Sequence, residues 1–137
     1  MIAASTIDAY LDTDYRVLAP LSFVLRIGVA NAALAALYRQ YKVSSSAFIT
    51  ACNPFSRVVD DAVNSARQDE LAQDLRSRSL RYFEGVGWHA SGNWPEEPSF
   101  LVLDLALEAA KTLGKKYDQN AIVWCGSDST PELILLR

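Results

Sequence analysis

The feature of this sequence that most restricts its fold is the order of its short apolar runs. Seven such runs have the length and composition of β-strands. They cover residues 15–19, 23–27, 47–52, 80–83, 100–103, 121–125 and 132–136. Single helical segments interrupt them, and strands and helices do not alternate strictly. This order is typical of an antiparallel sheet with helices packed against it.

Four helices are predicted among these strands. The second follows Asn31, which can cap it, and the third begins near Ala66, because Ser65 and Gln68 match a capping box. The predicted fold is therefore α+β: a two-layer sandwich with a mainly antiparallel sheet and helices packed on one face. The order is also compatible with a ferredoxin-like core over residues 47–125.

Length and composition indicate one ordinary globular domain. The chain has 137 residues, half of them hydrophobic, and we expect a single domain over residues 1–137. Its two cysteines, Cys52 and Cys125, lie in apolar runs and are predicted to be buried thiols. The apolar runs are too short to span a membrane, and the first residues are acidic, not basic. We therefore expect a cytoplasmic protein without membrane contact.

The charge pattern argues against general nucleic-acid binding. The formal net charge is −3, and between residues 56 and 81 five arginines are matched by five acidic residues. The single histidine and the two separated cysteines do not form a zinc-binding set, so no metal site is predicted. The sequence indicates no particular cofactor. Because the last strands are apolar, pairing of their edge in a homodimer is a further expectation.

One polar cluster follows the strand at residues 47–52. Short polar groups and guanidinium groups precede a helix N-terminus there, a place where backbone donors and the helix dipole favour an anion. The cluster consists of Asn53, Ser56, Arg57, Asn64 and Arg67. The same residues also have a purely structural interpretation, in which the first two stabilise their turn, Asn64 caps the helix and Arg67 pairs with acidic neighbours.

Three blocks of the sequence resemble a known family. They are residues 47–56 (AFITACNPFS), residues 94–103 (WPEEPSFLVL) and residues 119–124 (QNAIVW), with Asn64 and Arg67 between the first two. In this order they are similar to the bacterial domain of unknown function 3293, over a span from about Tyr15 to the C-terminus. The resemblance implies no activity, substrate or cofactor. The polar residues at its matching positions are Asn53, Ser56, Asn64, Arg67, Glu97 and Gln119.

Three hypotheses about function follow, and the sequence does not decide whether the chain is an enzyme. The first is a small binding or regulatory module for an anionic small molecule, such as a nucleotide or a phosphorylated metabolite. Its site is the polar cluster, with Trp94, Glu97 and Gln119 completing the wall.

The second hypothesis is a small hydrolase or transferase in which Glu97 is the general base and His89 or Arg67 supports charge. The third is a protein-interaction adaptor in bacterial stress or phage defence. It would use the tryptophan-rich loop around Trp88 and Trp94, because exposed aromatic residues are typical interaction hot spots.

Overall fold

The computed structural model describes residues 2–92 and 94–137. Within these residues the strands are β1 (Thr13–Val17), β2 (Phe23–Leu25), β3 (Ser46–Ile49), β4 (Tyr82–His89), β5 (Glu97–Leu103), β6 (Ala121–Cys125) and β7 (Pro131–Leu135). The helices are α1 (Ala4–Leu11), α2 (Ala32–Tyr41), α3 (Asp61–Ser77) and α4 (Leu107–Lys116). A 3-10 turn covers Pro54–Ser56. All seven strands form one sheet in the order β2-β1-β4-β5-β3-β6-β7. Every pair is antiparallel, so the predicted α+β class is confirmed.

The segment from β3 to β6 has ferredoxin-like topology. Its elements follow the order β3-α3-β4-β5-α4-β6, and its four strands lie in the order β4-β5-β3-β6. Helices α3 and α4 pack on one face of these strands. The ferredoxin-like core expected over residues 47–125 is therefore present, and β1, β2 and β7 extend its sheet at both edges.

The prediction that the helices pack on one face is wrong for α2. Ala47 and Ile49 of β3 pack with α3 and α4, whereas Phe48 between them packs with α2 on the opposite face. The physical reason is that β3 is buried along its whole length. A strand that is apolar on both faces needs cover on both sides of the sheet, and α2 supplies the second cover.

The sheet curls into a half-barrel around α2. Its two edges approach each other where the amide of Gly28, after β2, donates to the carbonyl of Pro131 in β7 at 2.9 Å. Leu34, Leu37 and Tyr38 of α2 fill one end of the concave face. The other end is left uncovered by α2, and a group of polar side chains collects there.

Two local predictions need correction. The tryptophan-rich loop is predicted to include Trp88, but β4 continues to His89. Gly85 is required within that strand, because a Cβ there would lie 2.7 Å from the ring of Phe48. Helix α3 begins at Asp61 and not near Ala66, so Ser65 is not a cap. None of the helices in the described residues is both long and apolar enough to cross a membrane.

Candidate functional site

A cavity of about 110 Å³ occupies the end of the concave face that α2 leaves open. We call its sheet side the floor, formed by Thr13, Tyr15, Thr50, Gly87, His89, Glu97 and Ser99. We call its other side the wall, formed chiefly by Tyr10, Asn53, Ser56, Val58, Trp94 and Gln119. The rings of Tyr15 and Phe48 meet edge to face at 5.4 Å and separate the cavity from the core around α2.

The two-residue period of the strands places the floor residues on one face. Gly87 lies opposite Tyr15 on one side and opposite Glu97 on the other. His89 follows two residues later on the same face, diagonally across from Glu97. Because Gly87 has no side chain, the space between Tyr15 and Glu97 stays open.

Asn53 is buried at the end of this cavity, and its side-chain orientation is fixed. Its Oδ1 accepts from Nδ2 of Asn64 at 2.8 Å and from the amide of Val59 at 3.2 Å. Oδ1 of Asn64 accepts in return from the amide of Asn53 at 2.8 Å. The Nδ2 group of Asn53 therefore points to Glu97 and donates to its Oε2 at 2.9 Å.

Among the described residues, Glu97 is the one charged side chain on the cavity lining. Burial raises the pKa of its carboxyl group to about 7, although the hydrogen bond from Asn53 lowers it in part. Its second oxygen, Oε1, accepts no hydrogen bond from residues 2–92 or 94–137. Near neutral pH the group is therefore present both as carboxylate and as acid, the condition that suits a general base.

Arg67 and Gln119 hold the backbone around the site. Arg67 donates from Nε to the carbonyl of Ala51 at 2.7 Å and from Nη2 to that of Tyr117 at 2.6 Å. Gln119 donates from Nε2 to the carbonyls of Cys52 and Tyr117, both at 3.1 Å. These bonds tie the end of β3 to the end of α4. The guanidinium group of Arg67 thus faces carbonyl groups and the carboxylate of Asp118, 3.6 Å from its Nη2, and not the cavity.

The sequence-predicted residues are only partly brought together. Five of them line the cavity, namely Asn53, Ser56, Trp94, Glu97 and Gln119. Asn64 lies behind Asn53 and supports it. Arg57 is exposed and lies outside the cavity lining, as does Arg67. The structure therefore separates the polar groups of the predicted cluster from both of its cations.

The turn after β3 contains strained backbone. Asn53, Phe55 and Ser56 have φ angles of 48°, 57° and 59°, in the left-handed region that side chains other than glycine seldom adopt. The turn is held by the amide of Phe55, which donates to the carbonyl of Asp118 at 2.7 Å, and by Ser56, whose Oγ contacts Tyr10. Strain of this kind persists where surrounding contacts impose it, often at functional sites.

Sequence reasoning missed most of the floor. Thr13, Tyr15, Thr50 and Ser99 were not singled out, although they stand at alternate positions of predicted or actual strands. The signal available was in β5, where the polar residues Glu97 and Ser99 stand at alternate positions of a strand that is otherwise apolar. His89, which the second hypothesis names, accepts at Nδ1 from the amide of Ser91 at 3.2 Å, so the neutral ring carries its proton on Nε2.

The cysteines do not take part in the site. Both are free and buried, as predicted, and burial raises the pKa of Cys52 above its usual value and that of Cys125 to about 12. Thiols in such surroundings are poor nucleophiles at neutral pH. Among the described residues, no group of three histidine, cysteine, aspartate or glutamate side chains could hold a metal ion.

The two tryptophans of the adaptor hypothesis are on different surfaces. Trp94 lines the cavity. Trp88 alternates with Gly87 along β4 and so points to the opposite face, where the guanidinium group of Arg16 lies 4.1 Å from its ring centre. They do not form one continuous apolar patch.

Comparison with known proteins gives one match. Searches of curated proteins and of solved structures found no significant similarity. Residues 49–122, which include the Asn53 turn, α3, Glu97 and Gln119, match the model of a family described as protein of unknown function (DUF3293). The match covers more than half of the chain. The chain therefore belongs to this family.

Proposed function

We propose that the protein is a small hydrolase or transferase that binds its substrate in the half-barrel cavity and uses Glu97 as general base. The observation that carries the proposal is the environment of this carboxylate. One of its oxygens is held by Asn53, and the other accepts no hydrogen bond from the described residues that surround the cavity. A carboxylate in that position can take a proton from a bound molecule.

The reaction class follows from the groups around Glu97. The carboxylate removes a proton from an attacking water or hydroxyl group and, once neutral, returns it to the leaving group. His89 can donate from Nε2 toward charge that develops on the substrate. The buried thiols offer no nucleophile, so we propose direct attack by water or by a substrate hydroxyl group.

Binding of an anionic metabolite is less well supported. An anion site needs a cation or several free backbone donors, and no lysine or arginine of the described residues lines the cavity. Arg67 instead holds two backbone carbonyls. A carboxylate on the floor also repels an anion, the more strongly because the site is partly buried. These contacts favour the second hypothesis over the first.

Turnover of a mixture of small metabolites, followed by proton NMR, tests this proposal. The wild type is compared with the Glu97→Gln variant, which keeps the shape of the side chain and removes its basicity. Glu96→Gln is the matched control, because Glu96 is the exposed neighbour outside the cavity lining. We expect one component to be consumed by the wild type and the control, and about a hundredfold more slowly by Glu97→Gln.

Two results would contradict the proposal. One is consumption by Glu97→Gln at the rate of the wild type. The other is a component that the wild type binds and releases unchanged, with equal affinity in both variants. The second result would favour the binding or regulatory module.

A further inference from the structure

We propose that the cavity binds the nitrogen end of a small cation, such as a protonated amine or an amidine. This inference rests on the proposed function only in taking the half-barrel cavity as the site. It names the substrate class from the direction of the hydrogen bonds that surround the cavity.

Three hydroxyl groups of the floor already donate their protons to the backbone. Thr13 donates to the carbonyl of Ala9 at 2.6 Å. Tyr15 donates to that of Tyr10, and Thr50 to that of Pro98, both at 2.6 Å. A hydroxyl group has a single proton, so each of these can offer a ligand only its lone pairs, and Thr50 already uses one of them to accept from the amide of Cys52 at 3.0 Å.

Other polar groups of the lining are restricted in the same way. Ser99 donates from Oγ to the carbonyl of Glu97 at 2.9 Å. Both protons of the Gln119 amide point to carbonyl groups, at 3.1 Å each, which leaves its Oε1 as an acceptor. Together with the Glu97 carboxylate, the floor and this part of the wall present acceptors to a ligand.

Among the described residues of the lining, the side-chain donors that remain are few. Tyr10 and Ser56 share one hydrogen bond, and Ser56 accepts a second from Asn120 at 3.0 Å, so the pair keeps one hydroxyl proton. His89 keeps its Nε2 proton, and Trp94 on the wall offers the N–H of its indole ring. A ligand made only of acceptors would leave most of the floor unpaired, and buried polar groups without partners are costly.

The charge of the lining and the volume of the cavity restrict the class of ligand further. The one charged side chain that residues 2–92 and 94–137 contribute to the lining is a carboxylate. It attracts a cation and forms short, strong hydrogen bonds with charged N–H groups. The volume of about 110 Å³ is smaller than that of a cavity known to hold benzene, about 150 Å³. The enclosed part of the ligand therefore has about six non-hydrogen atoms or fewer.

Acetamidinium, acetamide and acetate are matched probes for this inference. They have the same size and planar shape, but they carry two N–H₂ groups, one and none. Each is titrated into the isotope-labelled protein at about pH 8, where the Glu97 carboxylate is ionised. The amide signals of Gly87 and Ser99 report binding at the floor, and that of Ser77 at the end of α3 serves as a distant reference.

We expect acetamidinium to bind at least about tenfold more tightly than acetate, with acetamide between them. The Glu97→Gln variant should reverse this order. The locked Asn53 amide needs an acceptor beside it, so the new side chain would turn its NH₂ group into the cavity. The Glu96→Gln control should behave as the wild type.

Each of the other outcomes would contradict a specific part of the proposal. If acetate shifts the floor signals as strongly as acetamidinium, the donor inference is wrong, while the cavity remains the site of the proposed function. If none of the three shifts the floor signals, both the inference and the assignment of the site are wrong. An unchanged order of affinities in Glu97→Gln would show that this carboxylate does not select the ligand.

Discussion

Nδ2 of Asn53 donates to Oε2 of Glu97 at 2.9 Å, across 44 residues of sequence. The bond joins the strained turn after β3 to the first residue of β5. It favours the ionised form of Glu97 and opposes the larger effect of burial, which favours the neutral form. The balance between these two effects determines where the carboxyl group titrates, and it makes the first two predictions quantitative.

The stability of the protein should fall as pH rises through neutrality. Burial raises the pKa of Glu97 from 4.5 to about 7, so the folded state holds a proton that the unfolded state has already lost. This contribution is complete below pH 4.5 and is lost as pH rises through about 7. The free energy of unfolding should decrease by about 3 kcal/mol across this interval.

Urea denaturation at a series of pH values measures this dependence. In the Glu97→Gln variant the contribution should be absent, so the difference in unfolding free energy between variant and wild type should grow from pH 5 upward in favour of the variant. The Glu96→Gln variant is the control. If the unfolding free energies of wild type and Glu97→Gln changed in parallel with pH, Glu97 would not be the source of the pH dependence.

Replacing Asn64 should change the pKa of Glu97, although Asn64 acts on Glu97 only through Asn53. The Asn64→Ala variant removes the bond that holds Oδ1 of Asn53, so the amide of Asn53 can turn away from the carboxylate. We expect the pKa of Glu97 to rise and the unfolding free energy to fall by about 1–2 kcal/mol. Carbon-13 NMR of the carboxyl group measures the pKa, and Ser65→Ala, at an exposed neighbour, is the control. An unchanged pKa would show that Asn64 does not position Asn53.

Arg67 should stabilise the folded protein and should not bind the charged group of a ligand. Its two bonds to the carbonyls of Ala51 and Tyr117 are charge-assisted, so Arg67→Ala should lower the unfolding free energy by about 3 kcal/mol. Arg67→Lys should not restore it, because an ammonium group cannot reproduce the two-pronged geometry. The opposite result would be that both variants are as stable as the wild type in thermal denaturation but no longer bind an anionic ligand. That result would support the anion-site hypothesis, with Arg67 as the cation of the site.

The secondary structure could be predicted because its signals are local. Strand runs such as residues 100–103 and the cap at Asn31 depend on neighbouring residues, and Asn31 accepts from the amide of Leu34 as expected. The ferredoxin-like order follows from how these elements succeed one another. The position of α2 required the further observation that β3 is apolar on both faces.

The site could be predicted only where its chemistry is visible in residue type. Asn53 and Glu97 stood out as polar groups beside turns and at family positions, and they are hydrogen-bonded. The sequence predicts Arg67 to face a ligand, whereas its guanidinium group contacts the carbonyls of Ala51 and Tyr117 and the carboxylate of Asp118. The positions of these partners depend on the tertiary fold. The hydroxyl groups of Thr13 and Thr50 could not be assigned to the site from the sequence, because only the curled sheet brings them to one cavity.

Two glycines in β4 form a matched pair that tests the geometry of the cavity floor. A Cβ at Gly85 would lie 2.7 Å from the ring of Phe48 and 2.9 Å from the carbonyl oxygen of Arg16, and the backbone atom cannot move aside. A Cβ at Gly87 would meet its nearest neighbour, Thr13, at 3.8 Å, an ordinary contact. Thermal or urea denaturation should therefore show that Gly85→Ala loses about 2 kcal/mol, since overpacking is destabilising.

Gly87→Ala should instead keep or raise stability, by up to about 1 kcal/mol, because alanine loses less backbone entropy on folding than glycine does in a strand. Its methyl group would stand in the gap between Tyr15 and Glu97, where any ligand of the carboxylate must lie. Affinity for acetamidinium should therefore fall while the fold is unharmed, which separates loss of space from loss of structure. Unchanged affinity in Gly87→Ala would place the ligand elsewhere, and equal stabilities of the two variants would contradict the packing of Phe48 against β4.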